Sequence, residues 1–143
     1  MSTVLVYSDD PELRSGVRLA LGRTPSPEIG RVEYLECADG KAVVAAIDAG
    51  GIDLCVLDAE AWPTGGMGLA RQMKDEIRDC PATLLMIARP DDRWLAAWSR
   101  ADAVLALPVD PFALTEAVVR LLTARGARSP VAAPKTSFGL RRA

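Results

Sequence analysis

Five short apolar runs, each followed by a segment whose apolar residues recur at helical spacing, constrain this 143-residue chain more than any other feature. Residues 4–7 read as a strand, after which Asp10-Pro11 supplies a helix N-cap and a proline at the first helical position. Leu13, Val17, Ala20 and Leu21 share one face of that helix, and Gly22 stops it. Residues 32–37, 52–57, 83–88 and 104–107 read as four further strands. Helices are predicted over 41–49, over about 68–78 with Leu69, Met73 and Ile77 four residues apart, over 91–100, and over 111–125 behind an Asp110 cap. Short apolar strands joined by amphipathic helices imply crossover connections, hence a parallel sheet covered on both faces. The expectation is a flavodoxin-like, doubly wound five-stranded α/β fold, (βα)5, rather than a closed eight-unit barrel. In the common strand order 2-1-3-4-5, a switch point falls between the first and third strands.

That placement directs attention to the carboxyl ends of those two strands. Asp58 closes the apolar run 52–57, and Asp9 and Asp10 follow the run 4–7. Two strand ends therefore send acids toward one crevice, where sites collect in open α/β sheets. The matching ends of two later strands offer Ile87 and Leu107, which carry no chemistry.

What the chain lacks narrows its chemistry further. It contains no histidine, so a catalytic triad, imidazole acid/base catalysis and His-ligated metals are excluded. Cys37, Cys55 and Cys80 are odd in number and widely spaced, which argues for reduced thiols, with Cys55 in the core, and against a disulfide frame or zinc site. No apolar run is long enough to span a bilayer, and the N-terminus lacks a signal-peptide pattern. The expected location is the cytoplasm, without direct membrane insertion.

Charge divides the chain into two parts. Residues 1–125 hold 13 basic and 19 acidic side chains, a net of −6, whereas residues 126–143 hold Arg128, Lys135, Arg141 and Arg142 and no acid. The first part is expected to be the folded domain and the second a flexible basic C-terminal tail. The tail is either a solvated end or an arm that docks Phe138 and Leu140 on an acidic partner. An acidic body with four tail cations predicts no specific nucleic-acid partner.

Taken in order, the segments Leu5-Val6-Tyr7-Ser8-Asp9-Asp10-Pro11, Asp53-Leu54-Cys55-Val56-Leu57-Asp58 with Pro63 and Gly68-Leu69, and Ala101-Asp102-Ala103-Val104-Leu105-Ala106-Leu107-Pro108 resemble a CheY-like response-regulator receiver domain. The resemblance covers about residues 3–125. It implies that Asp58 is the aspartate that accepts a phosphoryl group from a histidine kinase with the help of Mg²⁺. It also implies that Asp9 and Asp58 bind the metal, joined by the backbone carbonyl of Glu60, and that Leu107-Pro108 is cis.

The chain departs from the family's pattern at four positions: Ser8 stands for one of two acids, Ile87 for a Ser or Thr, Val104 for an aromatic, and Leu107 for a Lys. The loop between Asp58 and Gly68 is also two residues longer than the resemblance suggests. Phosphoryl transfer depends on positioning and on electrostatic stabilisation, and losing one positioned donor can cost about 3 kcal/mol in the transition state. A hard cation prefers charged oxygen ligands, so Ser8 weakens the metal site. The expectation is an atypical single-domain response regulator, a pseudo-receiver that signals by protein contact and needs no cofactor. In that case Asp58 is an inherited, solvated loop acid. The alternatives are a working Mg²⁺-dependent phosphoacceptor in a two-component phosphorelay, and a permanent accessory subunit of a larger complex. No enzymatic activity beyond self-catalysed transfer onto Asp58 is expected, and the protein is expected to be a monomer or weak dimer.

Three indoles bear on partners. Trp62 belongs to the loop after Asp58 and either caps the crevice, anchors a partner or packs within a hinge loop. Trp94 and Trp98, four residues apart, share a helix face that either packs on the core, the commoner use of that spacing, or meets a protein partner.

Overall fold

Alternation of apolar side chains along each strand decides which layer each residue enters. In a computed structural model that describes residues 1–127, the elements are β1 (Ser2–Tyr7), α1 (Pro11–Leu21), β2 (Val32–Cys37), α2 (Gly40–Ala49), β3 (Leu54–Asp58), α3 (Gly66–Glu76), β4 (Ala82–Ile87), α4 (Arg93–Trp98), β5 (Ala103–Ala106) and α5 (Pro111–Ala127). Phe138, Leu140 and the basic tail lie outside the described residues. All strand pairs are parallel and the order is β2-β1-β3-β4-β5, the doubly wound arrangement expected.

Val4, Val6, Leu54, Val56, Leu84 and Met86 point to one side of the sheet and pack with Val17, Leu21, Leu114, Val118 and Leu122 from α1 and α5. Leu5, Tyr7, Cys55, Leu57, Leu85 and Ile87 point to the other side and pack with Val43, Ile47, Leu69 and Met73 from α2 and α3. The three central strands are thus apolar on both faces, which is why they read as continuous runs rather than as alternation. Cys37, Cys55 and Cys80 are free thiols, and Cys55 is fully buried as expected. Among the described residues no helix is long and apolar enough to cross a membrane.

Element boundaries differ from expectation where local polar groups intervene. The third strand begins at Leu54 rather than 52, and the Asp53 side chain just before it takes up the Thr3 amide, which its Oδ2 accepts at 2.9 Å. Helix α3 begins at Gly66, two residues before Gly68, and Ile77 is an extended C-cap rather than part of its stripe. Two residues assigned to the preceding loop therefore belong to the helix. The fourth helix is only six residues long, preceded by a 3-10 turn at Pro90–Asp92 and followed by Arg100 at φ 62°. Helix α1 agrees in full: Asp10 caps it through the Glu12 amide, Pro11 opens it, and Gly22 at φ 69° ends it.

Candidate functional site

The switch point puts the ends of β1 and β3 side by side, with Tyr7 in register with Leu57. The residues just beyond, Ser8 and Asp58, meet as a direct consequence. Asp58 is the last residue of β3 and only 4 % exposed, so it is a buried carboxylate held by a strand and not the solvated loop acid expected. A buried carboxylate needs hydrogen-bond partners. Its Oδ2 accepts from the fully buried Ser8 hydroxyl at 2.8 Å, and its Oδ1 accepts from the Glu60 amide at 2.8 Å. Ser8 Oγ in turn accepts the Asp10 amide at 3.0 Å, and Arg14 donates to the Ser8 carbonyl at 2.7 Å. Both carboxylate oxygens of Asp58 are therefore engaged by the protein.

Asp9 is exposed at the rim, and its Oδ1 accepts a long, 3.4 Å hydrogen bond from the Trp62 amide. Asp10, the third acid of the segment, is occupied as the cap of α1. Among the described residues no group of three or more Asp, Glu, Cys or His side chains is placed to hold a metal ion. The acids that converge on the crevice are Asp9 and Asp58, and Ser8 brings a neutral hydroxyl where a third carboxylate would stand.

The loop over the crevice is tied down at two points. The Tyr7 hydroxyl donates to the Thr64 carbonyl, and Thr64 lies so close to Gly40 at the start of α2 that a Cβ on Gly40 would come within 3.2 Å of it. Burial raises the Tyr7 phenol above its ordinary value, and the Asp9, Asp39 and Asp58 carboxylates raise it further, so it stays a donor. At the loop's far end, a Cβ on Gly66 would lie 2.7 Å from the Asp58 carbonyl oxygen. Only glycine lets α3 start that close to the end of β3. Neither Tyr7 nor Gly66 was marked as part of the site by the sequence, although the Gly65-Gly66 pair before a helix was a usable signal for close backbone approach.

The two apolar strand ends lie where expected. Ile87 closes β4 and is fully buried in the α2–α3 layer. Leu107 donates its amide to the Ile87 carbonyl at 2.7 Å and packs against the α1–α5 layer, and the Leu107-Pro108 bond is cis. Val104 is half-buried and packs on the opposite layer. None of the three provides a hydroxyl, an ammonium or an aromatic ring at the crevice.

The indoles depart from the core reading. Trp62, Trp94 and Trp98 are 77 %, 72 % and 53 % exposed, so neither the packed hinge loop nor the core-facing helix stripe holds. Helix α4 is short, and its buried residue is Ala96, which turns the two indoles outward. Trp98 is covered by the Arg71 guanidinium of α3 at 5.2 Å from its ring centre, and Arg71 also donates to the Trp98 carbonyl at 2.8 Å. Phe112, near the start of α5, is 87 % exposed and was overlooked, although an aromatic one residue after a helix-opening proline seldom has a core to face.

No protein-family model matches the chain. It is 50 % identical over 121 residues to uncharacterized response regulatory proteins from two strains of Mycobacterium tuberculosis, an alignment covering 85 % of this chain and 91 % of each relative. Among solved structures it is similar to the signal receiver domain of a histidine kinase from Syntrophus aciditrophicus, with a TM-score of 0.76 at 20 % identity over 93 % of this chain and 98 % of the other. It is also similar to the response regulator TrrA of Thermotoga maritima, whose structure contains Mg²⁺ and BeF, with a TM-score of 0.70 at 25 % identity over 85 % and 99 % of the two chains.

Proposed function

The chain belongs to the response-regulator receiver family, and we propose that it serves signal transduction by protein contact, as a pseudo-receiver that needs no phosphorylation cycle. The observation that carries this reading is the Ser8–Asp58 hydrogen bond. In a phosphoacceptor the carboxylate must be free to attack phosphorus, and charge on the transferring group must be met by positioned donors and a cation. Here each oxygen already accepts one hydrogen bond, Oδ2 from Ser8 and Oδ1 from Glu60, and the neighbouring strand ends supply Ile87 and Leu107, whose side chains offer the transferring group neither a donor nor a cation.

Asp9, Asp58 and the Glu60 carbonyl are the groups that would hold Mg²⁺, which in such a site offsets the charge of the phosphoryl oxygens. A cation entering this pocket has to share Asp58 with the hydrogen bonds it already accepts, and it gains one fewer carboxylate in return. Phosphorylation would also lack a lever. A switch needs contacts that differ between its two states, and an isoleucine at 87 has no hydroxyl with which to follow a phosphoryl oxygen.

Signalling without that switch rests on a constant surface. The exposed Trp94 and Trp98 supply the large aromatic side chains that dominate protein interfaces, and a protein partner docking there is the corresponding mode of action in the cytoplasm. A second reading, a working phosphoacceptor, draws on the position of Asp58 at the end of β3 and on the likeness to TrrA. Incubation with acetyl phosphate and Mg²⁺ followed by intact-mass measurement separates the two. The pseudo-receiver reading expects no phosphoryl adduct; an adduct on the wild type that is absent from Asp58→Asn supports the phosphoacceptor.

A further inference from the structure

At the opposite end of the sheet from Asp58, where β2 begins, a cleft of about 550 Å³ opens between the end of α1, the loop that follows it and the first residues of β2. Three arginines line it: Arg18 from α1, Arg23 from the loop, and Arg31 just before β2. Arg18 is held in place, with one guanidinium nitrogen 2.6 Å from Glu36 and the group 5.9 Å from the centre of the Tyr34 ring. The Tyr34 hydroxyl donates to the Gly22 carbonyl, which fixes the ring as the cleft's inner wall. Arg23 and Arg31 have no ion pair among the described residues. Leu19, 82 % exposed, forms an apolar edge.

We infer that this cleft binds a small phosphate monoester with a planar or apolar body, of the nucleoside monophosphate class. Two guanidiniums without an ion pair among the described residues flank one cavity and match a dianionic phosphate, because their planar forks donate in pairs to its oxygens. Glu33 is the opposing carboxylate in the lining; with Arg18 paired to Glu36, Arg23 and Arg31 outnumber it two to one. The carbonyls of Arg18 and Gly22 at the negative end of α1 already accept hydrogen bonds from the Gly22 amide and the Tyr34 hydroxyl. The body of the ligand meets Leu19 and the Tyr34–Arg18 stack.

Size and charge select a small ligand over a large one. The volume falls in the range of small-molecule sites, about 300–1,000 Å³. Residues 1–125 carry a net charge of −6, so the wider field repels an extended polyanion, such as nucleic acid or an anionic membrane, while the local arginines hold a single dianion. The chain's own tail, with four cations and no acidic side chain, has the same sign as the cleft.

The test is a ¹H–¹⁵N NMR titration of the full chain with AMP, alongside inorganic phosphate and adenosine. The cleft predicts saturable shifts at the amides of Arg18, Leu19, Arg23, Arg31 and Tyr34, with a Kd of about 0.1–1 mM for AMP. Both phosphate and adenosine should bind at least about tenfold more weakly. Arg23→Ala/Arg31→Ala should weaken AMP about tenfold or more while the remaining spectrum stays native, since both side chains are exposed. Absence of localised shifts up to about 10 mM overturns the proposal. So does equal binding of AMP and inorganic phosphate, or AMP binding that ignores the arginine changes.

Discussion

The Ser8 hydroxyl donates to Asp58 Oδ2 at 2.8 Å while its oxygen accepts the Asp10 amide at 3.0 Å, so one small side chain joins the carboxylate at the end of β3 to the turn that starts α1. A hydrogen bond to a buried charge contributes about 1.5–3 kcal/mol, and breaking this one leaves both a carboxylate oxygen and an amide short of a partner. Ser8→Ala should therefore destabilise the fold by about 2 kcal/mol, read as a lower urea midpoint with unchanged slope. A loss below about 0.5 kcal/mol would show that Asp58 does not depend on Ser8.

Restoring the acid tests the same contact from the other side. Ser8→Asp places a second carboxylate against Asp58 in a buried position, where like charges repel. The variant should be less stable than the wild type without metal and should regain stability with millimolar Mg²⁺, by an amount that grows with ligand concentration. Thermal melts with and without Mg²⁺ read this, and the wild type should show a much smaller Mg²⁺ effect.

Gly66→Ala adds a methyl 2.7 Å from the Asp58 carbonyl oxygen, a contact that backbone atoms cannot yield to cheaply. The expected loss is about 1–3 kcal/mol. Gly68→Ala, where nothing lies within 4 Å, is the control and should be neutral or slightly stabilising in melting experiments.

Trp94→Ala/Trp98→Ala removes exposed indoles, so the fold should lose no more than about 1 kcal/mol, the stack of Arg71 on Trp98 included. The proposed docking on these indoles predicts that any protein retained by the tagged wild-type full chain is retained only at background level by this variant. Loss of folding instead would mean that these side chains support the core.

Glu36 is one identifiable source of acid sensitivity, beside the more exposed Asp75, which Arg71 and Arg100 also hold below its ordinary value. The Arg14 and Arg18 guanidiniums hold the Glu36 carboxyl below its ordinary value of 4.5 through hydrogen bonds at 3.0 and 2.6 Å. A folded value below the unfolded one means stabilisation that is present above the unfolded value and is lost as pH falls through the folded one. The gap in stability between wild type and Glu36→Gln should thus be constant near neutral pH and shrink below about pH 4.5, as read by urea midpoints across pH. Because the pair is partly exposed, the gap itself should be no more than about 1 kcal/mol.

The periodic signals that were strongest in the sequence proved the most faithful. The apolar run at 4–7, the part of the run 52–57 from Leu54 onward, the Asp10-Pro11 cap and the Gly22 stop sit where local chemistry leaves little choice, and the meeting of β1 with β3 follows from the order of the units. The early start of α3 at Gly66 was harder to read, because it depends on a helix backing onto the Asp58 carbonyl, a tertiary contact. The outward turn of Trp94 and Trp98 was misjudged for a similar reason: spacing tells that two side chains share a face, and only the shortness of α4 decides which way that face looks. The Tyr7–Thr64 strap joins residues far apart in sequence, and the arginine cleft, though built from residues 15–34, takes its shape from how β2 returns beside the end of α1; neither leaves a local pattern.

The most direct test of an Asp58 pocket closed by Ser8 is a titration with Mg²⁺ and then beryllofluoride, a phosphoryl mimic. It would follow tryptophan fluorescence, to which Trp62 contributes from the rim, where its amide contacts Asp9, in the wild type, Asp58→Asn and Ser8→Asp/Ile87→Thr/Leu107→Lys, each carrying Trp94→Phe/Trp98→Phe so that Trp62 is the emitter. The account predicts no saturable response from the wild type or from Asp58→Asn, and a saturable response from the triple variant. A saturable wild-type response that Asp58→Asn abolishes would contradict it and establish the pocket as a working phosphoryl site.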